Sequence, residues 1–102
     1  GQTLEHIEFP WLTMSQIARK LKSGGLVCTV VPSRGPEHRF PLDCYRYYPD
    51  GLRALAKWAG LHVVQVGFVH GSDEWGDCYC VLTTPDSCMR FLNFPNISLS
   101  SC

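Results

Sequence analysis

The stretch from Thr3 to Ser33, TLEHIEFPWLTMSQIARKLKSGGLVCTVVPS, limits the possible folds of this chain more than any other. It reads as an amphipathic helix, a double-glycine stop and a nearly continuous β-branched strand that runs into a polar loop. Met14, Ile17, Ala18 and Leu21 recur at helical spacing and share one face. Thr13 with Gln16 three residues later fits a capping box. Arg19, Lys20 and Lys22 suit the negative end of the helix dipole, and Gly24 or Gly25 supplies a left-handed stop. These signals predict a helix over about residues 12 to 22. Leu26 to Val31 then has the look of a strand covered on both faces, stopped by Pro32. Such a unit belongs to a parallel α/β sheet, whose ligand sites lie just beyond the strand ends. It starts abruptly, with nothing before it to form the first half of such a sheet.

Thr3 to Ile7 reads as the tail of a strand or a strand-to-helix loop, with Trp11 as a staple at the helix start. Residues 32–48, PSRGPEHRFPLDCYRYY, form a long loop, too aromatic for a flexible linker. Loops of that length are usually functional or disordered. Pro49 and Asp50 open a second helix, which buries Leu52, Leu55, Ala56 and Ala59 and ends at Gly60. Val63–Val69 and Cys78–Thr84 are strands, joined by a polar turn in which Trp75 is exposed. So short a connection favours antiparallel pairing, because a parallel return needs a crossover of about a dozen residues. Residues 1–85 therefore form the folded part and 86–102 an irregular tail. Phe91, Leu92, Phe94, Ile97 and Leu99 make that tail apolar enough to pack on the sheet.

Composition excludes several classes. One domain is expected for 102 residues, and 45% hydrophobic with 18% charged residues is a globular balance. Nine basic and nine acidic residues leave no net charge, so neither nucleic acid nor an anionic membrane is an expected partner. No apolar run reaches the roughly 18 residues of a membrane span, and no leader is visible. The six cysteines raise the question of disulfides. Cys28, Cys78 and Cys80 lie in strand-like runs, where cysteine acts as a small buried hydrophobe. Reduced structural thiols and a cytoplasmic setting are the expectation. No metal site is expected: there is no Cys-x-x-Cys pair, Cys78 and Cys80 lack the usual knuckle, and His38 and Cys44 are six apart in a loop. Asn96-Ile97-Ser98 is a glycosylation triplet that matters only in a secreted protein.

The order of strand end, helix, strand, long loop, helix and antiparallel strand pair resembles the C-terminal half of class I S-adenosylmethionine-dependent methyltransferases (the type 11-like group). TLEHI resembles the segment after that family's fourth strand. IARKLKSGGLVCTVVPS resembles its helix–Gly–Gly–fifth-strand signature, and PDGLRALAKWAGLHVVQV its next helix and sixth strand. The implied fold is the C-terminal half of a Rossmann-like methyltransferase domain. The implied cofactor is S-adenosylmethionine and the implied partner a small-molecule methyl acceptor. The family's Gly-rich cofactor loop and ribose-binding acid have no counterpart here. Gly24-Gly25 ends a helix instead of opening one, whereas an anion-cradling loop opens one. The expectation is thus an acceptor-side half that is inactive alone.

By that resemblance Glu5 and His6 line the cleft, with His6 orienting substrate or taking a proton. Arg34, His38, Arg39, Asp43 and Arg46 flank the acceptor, the arginines clamping a carboxylate or phosphate. The plainer reading is a salt-bridged lid and a surface histidine. Phe40, Tyr45, Tyr47 and Tyr48 are expected to pack over the sheet as core, and Trp58 partly against it. Two further function classes remain open: a non-catalytic α/β module that self-associates through a sheet edge, and a secreted disulfide protein.

Overall fold

The computed structural model describes residues 1–69 and 71–86. The apolar tail, the glycosylation triplet, Cys88 and Cys102 lie outside the described residues. A short 3-10 helix, Leu4–His6, comes first. Helix α1 (Pro10–Lys20), strand β1 (Leu26–Arg34), helix α2 (Pro49–Ala59), and strands β2 (His62–Val69) and β3 (Gly76–Thr83) follow. The fold is a small mixed α/β arrangement of two helices and a three-stranded sheet of order β1-β3-β2.

Both ladders are antiparallel, Val31 facing Cys78 and Phe68 facing Cys78 from the other side. β2 and β3 thus form the expected antiparallel pair. The expected parallel relation survives only as direction: β1 and β2 run the same way, with the reversed β3 between them. β3 can occupy that slot because its short turn from β2 lets it return beside its predecessor without a crossover.

α1 starts three residues before the proposed capping box. Phe9 occupies the cap and Pro10 the first turn. Proline has the helical φ built in and no amide to leave unsatisfied, so it takes that place and Thr13 becomes interior. Trp11 therefore lies within the helix, edge-on to Phe9 at 5.8 Å between ring centres. At the other end the cap falls on Leu21 in an extended conformation. The left-handed residue is Gly24, φ 82°, in the turn beyond. α2 is as expected, with Gly60 left-handed at its cap and both Leu52 and Ala56 1% exposed.

β1 departs from expectation in two ways. It runs through Pro32 to Arg34, with a register irregularity between them. Proline is tolerated at bulges and on edge strands, and β1 is an edge among the described strands. Over Leu26 to Val30 the strand is also covered mainly on one face, whereas Val31, Pro32 and Ser33 are all buried. Val31 meets Cys78, Cys80 and Leu82 in a core completed by Met14 of α1 and by Leu52, Leu55 and Ala56 of α2. On the other face Leu26 and Cys28 are exposed and Val30 is half-buried. Cys28 is therefore not the buried hydrophobe expected, whereas Cys78 and Cys80 are. Burial pushes the Cys80 thiol up to about 12. All four described cysteines are free.

Beyond its ladder with β3, the backbone of β1 accepts from the Gln2 amide at Val30 (2.7 Å) and from the Tyr47 amide at Pro32 (2.9 Å). Tyr47 is the one aromatic of the long loop in the core. Phe40 is 81% and Tyr48 65% exposed, and Tyr45 is half-buried. Trp58, at 63% exposed, lies on the outer side of α2 and not against the sheet.

Candidate functional site

The loop from Gly35 to Tyr48 is stapled to the 3-10 helix. The Glu5 carbonyl accepts from the Cys44 and Tyr45 amides at 2.7 and 3.2 Å. The Tyr45 hydroxyl donates to the Glu8 carbonyl at 2.7 Å and the Tyr47 hydroxyl to the Leu4 carbonyl at 3.3 Å. Burial is the main reason the Tyr47 hydroxyl is held far above the usual phenol range. These bonds bring residues some forty positions apart to one place, at the carboxyl end of β1.

The Glu5 side chain lies wholly inside, and neither carboxylate oxygen has a hydrogen-bond partner among the described residues. His6 Nδ1 lies 2.5 Å from the Leu42 carbonyl. A carbonyl only accepts, so Nδ1 carries the hydrogen and, in the neutral ring, Nε2 keeps its lone pair. That Nε2 is 3.6 Å from Glu5 Oε2. His38 stands edge-on to His6, ring centres 4.9 Å apart, and edge-on to Trp75 at 5.3 Å.

Arg46 grips Asp43 with two bonds of 2.7 Å, one to each oxygen, and also donates to the Tyr45 and Pro36 carbonyls. The His38 amide adds a third bond to Asp43 at 2.7 Å. The guanidinium first, then that amide, hold the Asp43 carboxyl well below the usual carboxylate range. Arg46 in turn stacks its guanidinium 5.9 Å from the Trp75 ring centre. Trp75 also rests on Gly35, φ 135°, where a Cβ would come within 2.2 Å of the ring. Only glycine provides both that backbone conformation and that clearance.

Of the residues proposed from sequence, Glu5, His6, His38, Asp43 and Arg46 are thus brought together. Arg34 is not among them. Its guanidinium donates to the Ser72 and Trp75 carbonyls at 2.8 and 3.3 Å, holding the β2–β3 turn. Arg39 is exposed and has no ion-pair partner among the described residues. Trp75, expected to be exposed, is half-buried as the wall of the site. Nothing local to a polar turn marks such a role, because the partners of Trp75 come from a loop about thirty to forty residues earlier.

A second feature lies at the same end of the sheet. A cavity of about 360 Å³ is lined by Arg34 of β1, Tyr48, Phe68 and Val69 of β2, and Asp77 of β3. Its volume falls in the lower part of the small-molecule range. S-adenosylmethionine itself finds no cradle among the described residues. The Gly25 amide is spent on the Lys22 carbonyl and the Gly24 amide on the Thr84 hydroxyl, so the double glycine offers no free amides to an anion. α2 opens on Pro49 and Asp50, a poor N-terminus for a negatively charged group. No family model, curated protein or solved structure matches the chain.

Proposed function

We propose that this chain is the acceptor-side half of an S-adenosylmethionine-dependent methyltransferase, working in the cytoplasm on a small-molecule acceptor. The carrying observation is positional: the charged cluster and the cavity both gather at the carboxyl ends of β1 and β2. In open α/β sheets that edge is where ligands bind. The Rossmann-like reading of the sheet rests on the element order and on β1 and β2 sharing a direction. No described helix is long and apolar enough to cross a membrane, which accords with the setting proposed.

In methyl transfer the cofactor carries the reactive group, and the protein aligns the two reactants and excludes water. The residues here belong to the second task. Tyr48 and Phe68 offer apolar area to an acceptor, while Asp77 and the part of the Arg34 guanidinium not spent on the β2–β3 turn offer polar contacts. Among the described residues the cofactor has no fitting cradle.

Titration calorimetry is the test. The 102-residue chain is expected to bind S-adenosylmethionine weakly or not at all. A product that includes the coding sequence upstream of Gly1 is expected to contain a strand–Gly-rich loop–helix unit, to bind the cofactor and to transfer its methyl group. Micromolar binding by the short chain, about 8 kcal/mol, would overturn the proposed division. An upstream sequence without that unit would overturn the family reading.

A further inference from the structure

Among the described residues, the buried Glu5 carboxylate stands out as a charge with no hydrogen-bond partner. A buried carboxylate without a partner is costly, so burial at 0% exposure calls for a counter-charge. Arg46 feels Glu5 electrostatically, but its two terminal nitrogens are committed to Asp43, Tyr45 and Pro36. The Arg46–Asp43 pair is neutral as a unit.

Two histidines face the same carboxylate. One ligating atom from each of Glu5, His6 and His38 lies within 4.8 Å of the other two. The separation of 3.6 Å between His6 Nε2 and Glu5 Oε2 is too long for an ordinary hydrogen bond. It suits two atoms sharing an ion: donors about 2.1 Å from one tetrahedral zinc lie roughly 3.4 Å apart. The other nitrogen of His6 is held by the Leu42 carbonyl, the arrangement that fixes the tautomer and aim of a metal-ligating histidine. The Asp43 carboxylate lies 3.6 Å from Nδ1 of His38, near the ring but beyond hydrogen-bond distance. Exposure rises from Glu5 at 0% through His6 at 18% to His38 at 45%, so the site has a closed floor and an open mouth.

We infer that Glu5, His6 and His38 form a binding site for a divalent transition-metal ion, with room left for solvent or a ligand on the open side. Two imidazoles and one carboxylate suit zinc and its neighbours better than magnesium or calcium, which prefer all-oxygen sets. This inference goes beyond the methyltransferase reading and does not depend on it. No metal-binding spacing marks this set in the sequence, because Glu5 and His6 are adjacent and His38 lies far along the chain.

The test is a Co²⁺ titration of the full chain by visible absorption, with Zn²⁺ as competitor. One saturable site is expected, displaced by Zn²⁺ and free of thiolate-to-cobalt charge-transfer absorption. His38→Ala removes an exposed ring, and should weaken binding at least about tenfold while the metal-free chain keeps its melting temperature. Glu5→Gln should abolish binding. Cys28→Ser with Cys44→Ser should leave it unchanged, since both thiols are exposed and outside the ligand set. If Glu5→Gln does not fold, His38→Ala still decides. Absence of saturable binding, binding indifferent to His38→Ala, or a thiolate spectrum lost with the two serines would each overturn the inference.

Discussion

Asp43 is a heavily satisfied charge, taking two bonds from Arg46 and one from the His38 amide. These hold its folded pKa below the unfolded value of about 3.9. A depressed carboxylate contributes stability that is present above the unfolded pKa and is lost as pH falls toward the folded one. Asp43→Asn is therefore expected to lower the urea midpoint at neutral pH, with the gap to wild type narrowing steadily as pH falls below about 5. A gap that stays constant across that range would show that the ion pair contributes no pH-dependent stability. The Asp43–Arg46 pair was legible as a charged loop, because the two residues are three apart. The burial of Glu5 was not, since it depends on the loop that closes over it. Neither was the wall formed by Trp75, which needs both Gly35 and Arg46 in place.

At the scale of elements, α2, β2 and β3 follow their local signals closely. Their hydrophobic periods, proline start and glycine stop all agree. α1 and β1 moved at their ends, where two plausible signals competed. Proline at the first turn outweighed the capping box, and an edge position let β1 continue through Pro32. The mainly one-faced cover of β1 up to Val30 gives a direct prediction. Val31 is 1% exposed, whereas its neighbour Val30 is half-buried on the open face. Val31→Ala should cost about 2–3 kcal/mol through lost burial and a cavity. Val30→Ala should cost about 1 kcal/mol or less, closer to a surface change. Urea unfolding of the two variants checks this, and equal costs would mean that both faces are covered.

For the molecule as a whole, the exposed side of β1 is the surface that bears on assembly. A cavity of about 270 Å³ runs between α1 and β1, lined by Thr13, Ile17 and Val27 to Val31. Leu26, at the start of the same strand, is 55% exposed. Open strand edges and apolar surface favour self-association. The isolated chain is expected to be a dimer or larger, with Thr3–Ile7 and Leu26–Val31 at or near the contact. Sedimentation equilibrium at micromolar concentration measures this, and Leu26→Lys should shift the distribution to monomer. A wild-type monomer that excludes a hydrophobic dye would show this side to be covered within one chain.

The sequence by itself determined the two α-helices and three strands, their order and the antiparallel return of β3, but not the 3-10 helix at Leu4–His6. Those follow from periodicity, proline, glycine and connection length, all of which act over a few residues. It also marked the charged loop as a place of interest. Only the tertiary structure decided that β3 enters between β1 and β2, that β1 is covered mainly on one face up to Val30, and that Arg34 serves the β2–β3 turn while Glu5 sits at the floor of a cluster. Each of those outcomes depends on contacts between segments tens of residues apart. Their geometry is set by how the loop from Gly35 to Tyr48 docks on the 3-10 helix, and no local pattern encodes that docking.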